Sequence, residues 1–64
     1  MIRVNGKDHD TAFDSVEVMM ADLKIDSRGV AVAVNGEIVR RGEWNATRVA
    51  DGDVVEIVSA VAGG

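Results

Sequence analysis

Apolar residues recur along this chain with two different periods. Residues 1–4 (Met-Ile-Arg-Val) are β-favouring and apolar at alternate positions, and Asn5-Gly6 follows. Asn-Gly supplies the positive φ angles of a tight hairpin turn, so a returning strand is expected over residues 7–13. Its many polar residues suit a sheet edge, where charge discourages pairing with other chains. The period then changes. Val16, Met19, Met20 and Leu23 stand at i, i+3, i+4 and i+7, one face of a helix. Ser15 or Asp14 can cap its first turn, and Asp14 with Glu17 resembles a capping box. Arg28-Gly29 offers a place for the helix to end.

Residues 30–34 alternate Val and Ala and run into a second Asn-Gly, Asn35-Gly36, followed by Glu37-Ile38-Val39. This is the clearest hairpin in the chain. Residues 40–50 read as irregular or as one short helical turn, with Trp44 closing the core. Asp51-Gly52-Asp53 lacks the regularly spaced oxygen ligands of a calcium loop and reads as a tight turn. Residues 54–58 (Val-Val-Glu-Ile-Val) are almost continuously apolar, as a central strand covered on at least one face would be. The expected order is strand, strand, helix, strand, strand, connector, strand. The first and last strands belong side by side at the centre of an α+β domain.

Size narrows the function. A chain of 64 residues is one domain with a small core, worth roughly 3–5 kcal/mol unless stapled. It has no cysteine, so no disulfide adds to that core. So small a body leaves little room for a carved catalytic cleft. The formal charge of −4 and the lack of a basic stripe with interleaved aromatics argue against nucleic acid. Arg40-Arg41 is the only adjacent basic pair. No apolar run is long enough for a bilayer and no secretion signal opens the chain, so the cytoplasm is the expected address. His9 is the sole histidine, with no cysteine to activate. Ser15, Ser27 and Ser59 have no obvious base. A methionine pair at helical spacing reads as core packing.

The chemistry points to the end of the sequence. Residues 60–64 read Ala-Val-Ala-Gly-Gly, and we assign residues 1–59 to the folded domain and 60–64 to a flexible tail. Five extended residues reach about 17 Å, and two glycines let a narrow channel enclose the backbone. A free α-carboxyl on Gly64 is anionic at neutral pH. Such a carboxylate can attack the α-phosphorus of ATP, and a sulfur nucleophile can convert the resulting acyl-adenylate to a thiocarboxylate. Cations must offset the repulsion between two anions. The tail holds none, and the nearest basic residue upstream is Arg48. The catalytic machinery is therefore expected in a partner, with this chain as cosubstrate.

Three segments taken together resemble the ThiS family of bacterial sulfur carrier proteins. They are residues 32–39 (Val-Ala-Val-Asn-Gly-Glu-Ile-Val) with Arg41 and Trp44, then Asp51-Gly52-Asp53, then the final Val61-Ala62-Gly63-Gly64. The resemblance implies a ubiquitin-like β-grasp fold, a mixed sheet of four to five strands on one main helix. It also implies a role in making the thiazole moiety of thiamine. In that family an adenylyltransferase (ThiF-like) activates the terminal glycine with ATP and magnesium. A cysteine-desulfurase relay supplies sulfur, and thiazole synthase (ThiG-like) receives it. Carried onto this chain, Gly64 bears the adenylate and then the thiocarboxylate, and Gly63 provides access. ATP and Mg²⁺ bind the partner, so no cofactor- or metal-binding residue is assigned here. The sheet face beside the tail is the expected partner contact. One departure is that Arg40-Arg41-Gly42 stands where relatives often show a proline. Within the class, the small subunit of molybdopterin synthase (MoaD-like) shares fold and tail, although its relatives often carry Pro-Pro where Ser59-Ala60 stands here. A carrier for cysteine or secondary-metabolite biosynthesis is a third option. A ubiquitin-like protein modifier and a structural β-grasp module with an idle tail are the readings from other classes.

Overall fold

The two Asn-Gly pairs make the turns expected of them. Asn5 (φ 51°) and Gly6 (φ 82°) join β1 (Ile2–Val4) to β2 (Lys7–His9), and Asn35 (φ 52°) and Gly36 (φ 85°) join β3 (Val30–Val34) to β4 (Glu37–Val39). Positive φ at both central positions matches the right-handed twist of the flanking strands. The computed structural model describes residues 1–59, so the tail assigned to 60–64 lies outside the described residues. Helix α1 (Val16–Asp22) follows the first hairpin, and a 3₁₀ helix (Arg41–Ala46) leads toward β5 (Val54–Ser59).

The five strands form one sheet in the order β2-β1-β5-β3-β4. β1 and β5 are parallel, with Arg3 opposite Val54 and Val4 opposite Val55. The other pairings are antiparallel. The first and last strands thus lie side by side as expected, and β5 is the middle strand. The charged β2 occupies an edge.

α1 crosses one face of this sheet. Val16, Met19 and Met20 are buried against Ile2, Val4, Val32 and Val55, and Leu23 packs partly on the same cluster. The predicted helical stripe is therefore the core face, and the methionine pair is core packing. Each fully buried aliphatic side chain contributes about 1.5–3 kcal/mol. Trp44 is buried and closes this core from the 3₁₀ helix.

Three local expectations are corrected. The strand expected over residues 7–13 stops at His9. Residues 10–12 are exposed, and Phe13 then turns into the core to form an isolated bridge with Val49, with N–H···O bonds of 2.9 and 3.1 Å. The helix start belongs to Ser15 alone: its Oγ accepts from the Val18 N–H at 3.1 Å. With Ser15 as the cap, the third helical residue is Val18, so Asp14 and Glu17 form no capping box; Glu17 sits in the first turn, where the helix dipole favours its charge. The helix also ends early, with Leu23 as its C-cap, six residues before Gly29. Lys24 takes φ 58° there; its N–H reaches the Ala21 carbonyl (3.2 Å) and the Ile25 N–H reaches Met20 (3.0 Å). That pair of bonds is a Schellman motif.

The missing proline leaves no distortion in the connector. Arg40 adopts φ −67°, ψ 146° ahead of the 3₁₀ helix, the φ a proline ring would enforce.

Candidate functional site

β5 carries the chain from the middle of the sheet toward the Gly-Gly sequence, so its two faces and two ends define the site. Val55 and Ile57 point toward α1 and are buried and half-buried; Val54, Glu56 and Val58 point the other way and are exposed. The strand is central, yet only one of its faces is covered. The near-continuous apolar run anticipated a covered face but could not tell that the second face would be open.

That open face is apolar over most of its width. Val58 and Ile38 are 61% and 68% exposed, and Val54 is 44% exposed. Between Val58 and Ile38 lies β3, which places Ala31 opposite Val58, and Ala33 between Ile38 and Glu56. The Val/Ala alternation of residues 30–34 is thereby explained. The valines fill the core side, and the alanines floor a shallow apolar trough on the other. Glu56 is the one charge in the middle of this surface. Toward the β1–β2 edge, Arg3 and Asp8 pair across the strands at 3.0 Å.

Each end of β5 is held by an asparagine from a hairpin turn. At its start, Asn35 Oδ1 accepts from the Val54 N–H at 3.0 Å, while its Nδ2 donates to Asp53 Oδ1 at 3.0 Å. Toward its end, Asn5 Oδ1 accepts from the Ile57 N–H at 2.7 Å and its Nδ2 donates to the Ile57 carbonyl at 3.2 Å. Sequence reasoning assigned both residues to turns only. Nothing in a local Asn-Gly signal announces a partner 52 residues away.

The remaining sequence candidates disperse. His9 lies on β2 opposite Ile2, half-buried. Asp51-Gly52-Asp53 is the tight turn expected, with Gly52 at φ 93°. Asp53 is engaged within the fold: its Oδ2 accepts from the Ala50 N–H at 2.9 Å and its Oδ1 from Asn35. Asp51 pairs with the Met1 amine. Among the described residues no three His, Cys, Asp or Glu side chains converge as metal ligands do. An open cavity of about 330 Å³ between α1 and the 3₁₀ helix is lined by Met20, Ile25, Trp44, Glu17 and Arg41. The Arg41 guanidinium that borders it also donates to the Ser27 carbonyl. Gly63 and Gly64 lie outside the described residues, and Ser59 is the last residue before that segment.

Comparison with known proteins decides the family. A sequence profile of the ThiS family matches residues 2–64, which spans the whole sheet, the helix and the Gly-Gly sequence. The chain belongs to the ThiS family. The five-stranded mixed sheet on one helix is its ubiquitin-like β-grasp fold. The crystal structure of the thiamine biosynthesis protein ThiS from Geobacter metallireducens superposes on this ThiS-family chain with a TM-score of 0.81. The two are 37% identical, over 98% of this chain and 97% of that one. The solution structure of a thiamine biosynthesis protein from the same organism gives 0.70 at 35% identity, covering 98% and 86%. A thiazole synthase of Paramagnetospirillum magneticum is 40% identical over 62 residues, 95% of this chain. The chain spans only 19% of that relative's length.

Proposed function

We infer that this chain is the sulfur carrier for building the thiazole moiety of thiamine, and that Gly64 is the residue that carries the sulfur. The observation that supports this best is the reach of the family match, which runs through Gly63 and Gly64 and does not stop at the folded domain. The reading requires Gly64 to present a free α-carboxylate in the working protein.

The reaction then divides between this chain and its partners. A carboxylate oxygen of Gly64 attacks the α-phosphorus of ATP; the bond to the β-phosphate oxygen breaks, and pyrophosphate leaves. Hydrosulfide, released from the persulfide of a cysteine-desulfurase relay by a reducing thiol, next attacks the acyl carbon. AMP departs and a thiocarboxylate remains. ATP and Mg²⁺ are held by a ThiF-like adenylyltransferase, whose cations offset the repulsion of carboxylate and triphosphate. Gly63 contributes slenderness, since a residue without Cβ lets the active-site wall approach the backbone. Thiazole synthase accepts the sulfur. The similarity of this chain to a fifth of a thiazole synthase supports that partner. A supply of ATP places the cycle in the cytoplasm.

The partners dock on the open sheet face. Ile38, Val54 and Val58 around the Ala31–Ala33 trough form its apolar centre, and Glu56 calls for a cation opposite it. β5 runs through this face, so a partner seated there lies beside Val58 and Ser59, the last described residues before the Gly-Gly sequence.

Incubation with the adenylyltransferase, ATP, Mg²⁺ and a sulfur donor should give the mass gain of one sulfur for one oxygen. A chain extended by one bulky residue past Gly64 should stay folded and unmodified. An unchanged mass with a competent partner, or modification that survives the extension, would sink the reading. A ladder of stable conjugates on denaturing gels would point to a protein modifier.

A further inference from the structure

The parallel β1–β5 ladder should run out before β5 does. β1 ends at Val4, and its last backbone contribution is the Asn5 N–H, which donates to the Val55 carbonyl at 2.9 Å. The chain then turns away through positive φ at Asn5 and Gly6. A strand that continued would next present a peptide group to Ile57. The Asn5 side chain supplies that group instead, since a primary amide offers the same pairing of one acceptor and one donor. It takes the Ile57 N–H at 2.7 Å and gives to the Ile57 carbonyl at 3.2 Å. Among the described residues, nothing on the β1 side bonds the backbone of Ser59. Among the described residues Asn5 is the last hold on that side. On the other side β3 pairs with β5 as far as Ser59.

We propose that Asn5 is a positioning residue for the acyl chemistry at Gly64. By holding Ile57, it fixes the last stretch of β5 on the β1 side, and so the base from which the sequence leading to Gly64 is presented to a partner on the open face. The inference rests on the sulfur-carrier reading. Without this hold, residues 57–59 are an edge held by β3 alone, and the last position fixed from both sides retreats by two residues, from Ile57 to Val55. Two residues are about 7 Å of extended chain. Reacting atoms must be held at about 3–3.5 Å, so that slack is large against what the chemistry tolerates. No side chain of the docking face is replaced, and β3 still pairs with Val58. The defect should therefore appear in kcat for adenylation and spare KM.

Asn5→Gly tests this, because glycine keeps the positive φ of the turn and removes only the amide. Asn35→Gly is the matched control: it makes the same change in the second Asn-Gly turn and frees the opposite end of β5. Asn5→Asp is the milder variant, keeping the acceptor for the Ile57 N–H and losing the donor. Amide hydrogen exchange in the free carrier should show Ile57 protection reduced about tenfold in Asn5→Gly. With the adenylyltransferase, kcat should fall by about fivefold or more with KM within about twofold, Asn5→Asp lying between. Asn35→Gly should adenylate at the wild-type rate while both variants remain folded. Equal kcat losses in the two glycine variants, or a loss confined to KM, would overturn the role of Asn5. A wild-type chain that no adenylyltransferase activates would overturn the carrier reading itself, and the exchange comparison would still report on the hold at Ile57.

Discussion

The Arg41 guanidinium lies 4.9 Å from the centre of the Trp44 ring, and the indole beneath it donates Nε1–H to the Val39 carbonyl at 3.0 Å. One side chain thus plugs the core, satisfies the end of β4 and carries a cation on its outer face. These roles separate by substitution. Trp44→Ala should cost about 3–5 kcal/mol, enough to unfold most of a chain this small. Trp44→Phe keeps much of the packing but strands the Val39 carbonyl, at about 1–2 kcal/mol. Arg41→Gln should cost only about 0.5–1 kcal/mol. Urea unfolding midpoints would rank them. A Trp44→Phe midpoint equal to wild type would show that the indole N–H is dispensable.

Lys24 occupies a position better suited to glycine. It ends α1 at φ 58° within a Schellman motif, where a side chain with Cβ is strained. Lys24→Gly should therefore stabilise the domain by about 0.5–1 kcal/mol, the reverse of glycine's usual effect beside a helix. Denaturant unfolding compared with Lys24→Ala gives the sign. Destabilisation by glycine and neutrality for alanine would mean the left-handed conformation carries no strain.

The same residue shows why part of the fold was legible and part was not. Periodicity over Val16, Met19, Met20 and Leu23 reported the buried face of α1, because burial is what spacing encodes. The first glycine after the helical stripe is Gly29, and Lys24 carries no such mark. β1, β3, β4 and β5 were legible because their turns are Asn-Gly or Asp-Gly and their strands alternate or are apolar. The error at residues 10–13 arose because Phe13 pairs with Val49, and a pairing across 36 positions leaves no local trace. The apolar open face was written in the alternation of residues 30–34, but which face the alanines would line depended on where α1 packed. The Asn5–Ile57 hold was invisible for the same reason as the Phe13 bridge.

Asp26 gives a pH test confined to one loop. It accepts from the Arg28 backbone N–H at 3.0 Å and from the guanidinium at 3.2 and 3.0 Å. The side-chain bonds to Arg28, then its backbone N–H, hold the Asp26 carboxyl down from the ordinary 3.8 to about 2. A depressed carboxylate stabilises the folded form above the unfolded value, and that contribution is lost as pH falls through the folded one. The loop should therefore keep its Asp26–Arg28 contacts at pH 3.8 and release them near 2. In Asp26→Asn this transition should be missing. Carboxyl-carbon NMR titration would read it directly, and a midpoint at 3.8 would remove the Arg28 pairing from solution.

The open sheet face separates docking from folding most sharply. Ile38 and Val58 project from the side of the sheet opposite α1, more than half exposed, so replacing either with lysine removes little buried area. Stability should change by no more than about 0.5 kcal/mol. The same substitutions place a desolvated charge at the centre of an apolar contact, and KM for adenylation should rise about tenfold or more. Val55→Ala is the opposite case: its side chain is fully buried on the core face of the same strand, so it should lower the unfolding midpoint and leave KM alone while the domain is folded. The crossed pattern carries the argument, because a merely destabilised carrier would move both measurements together. If Ile38→Lys and Val58→Lys both adenylate with wild-type KM, the partner does not read this face, and recognition has to reside in the tail and the edges of the sheet.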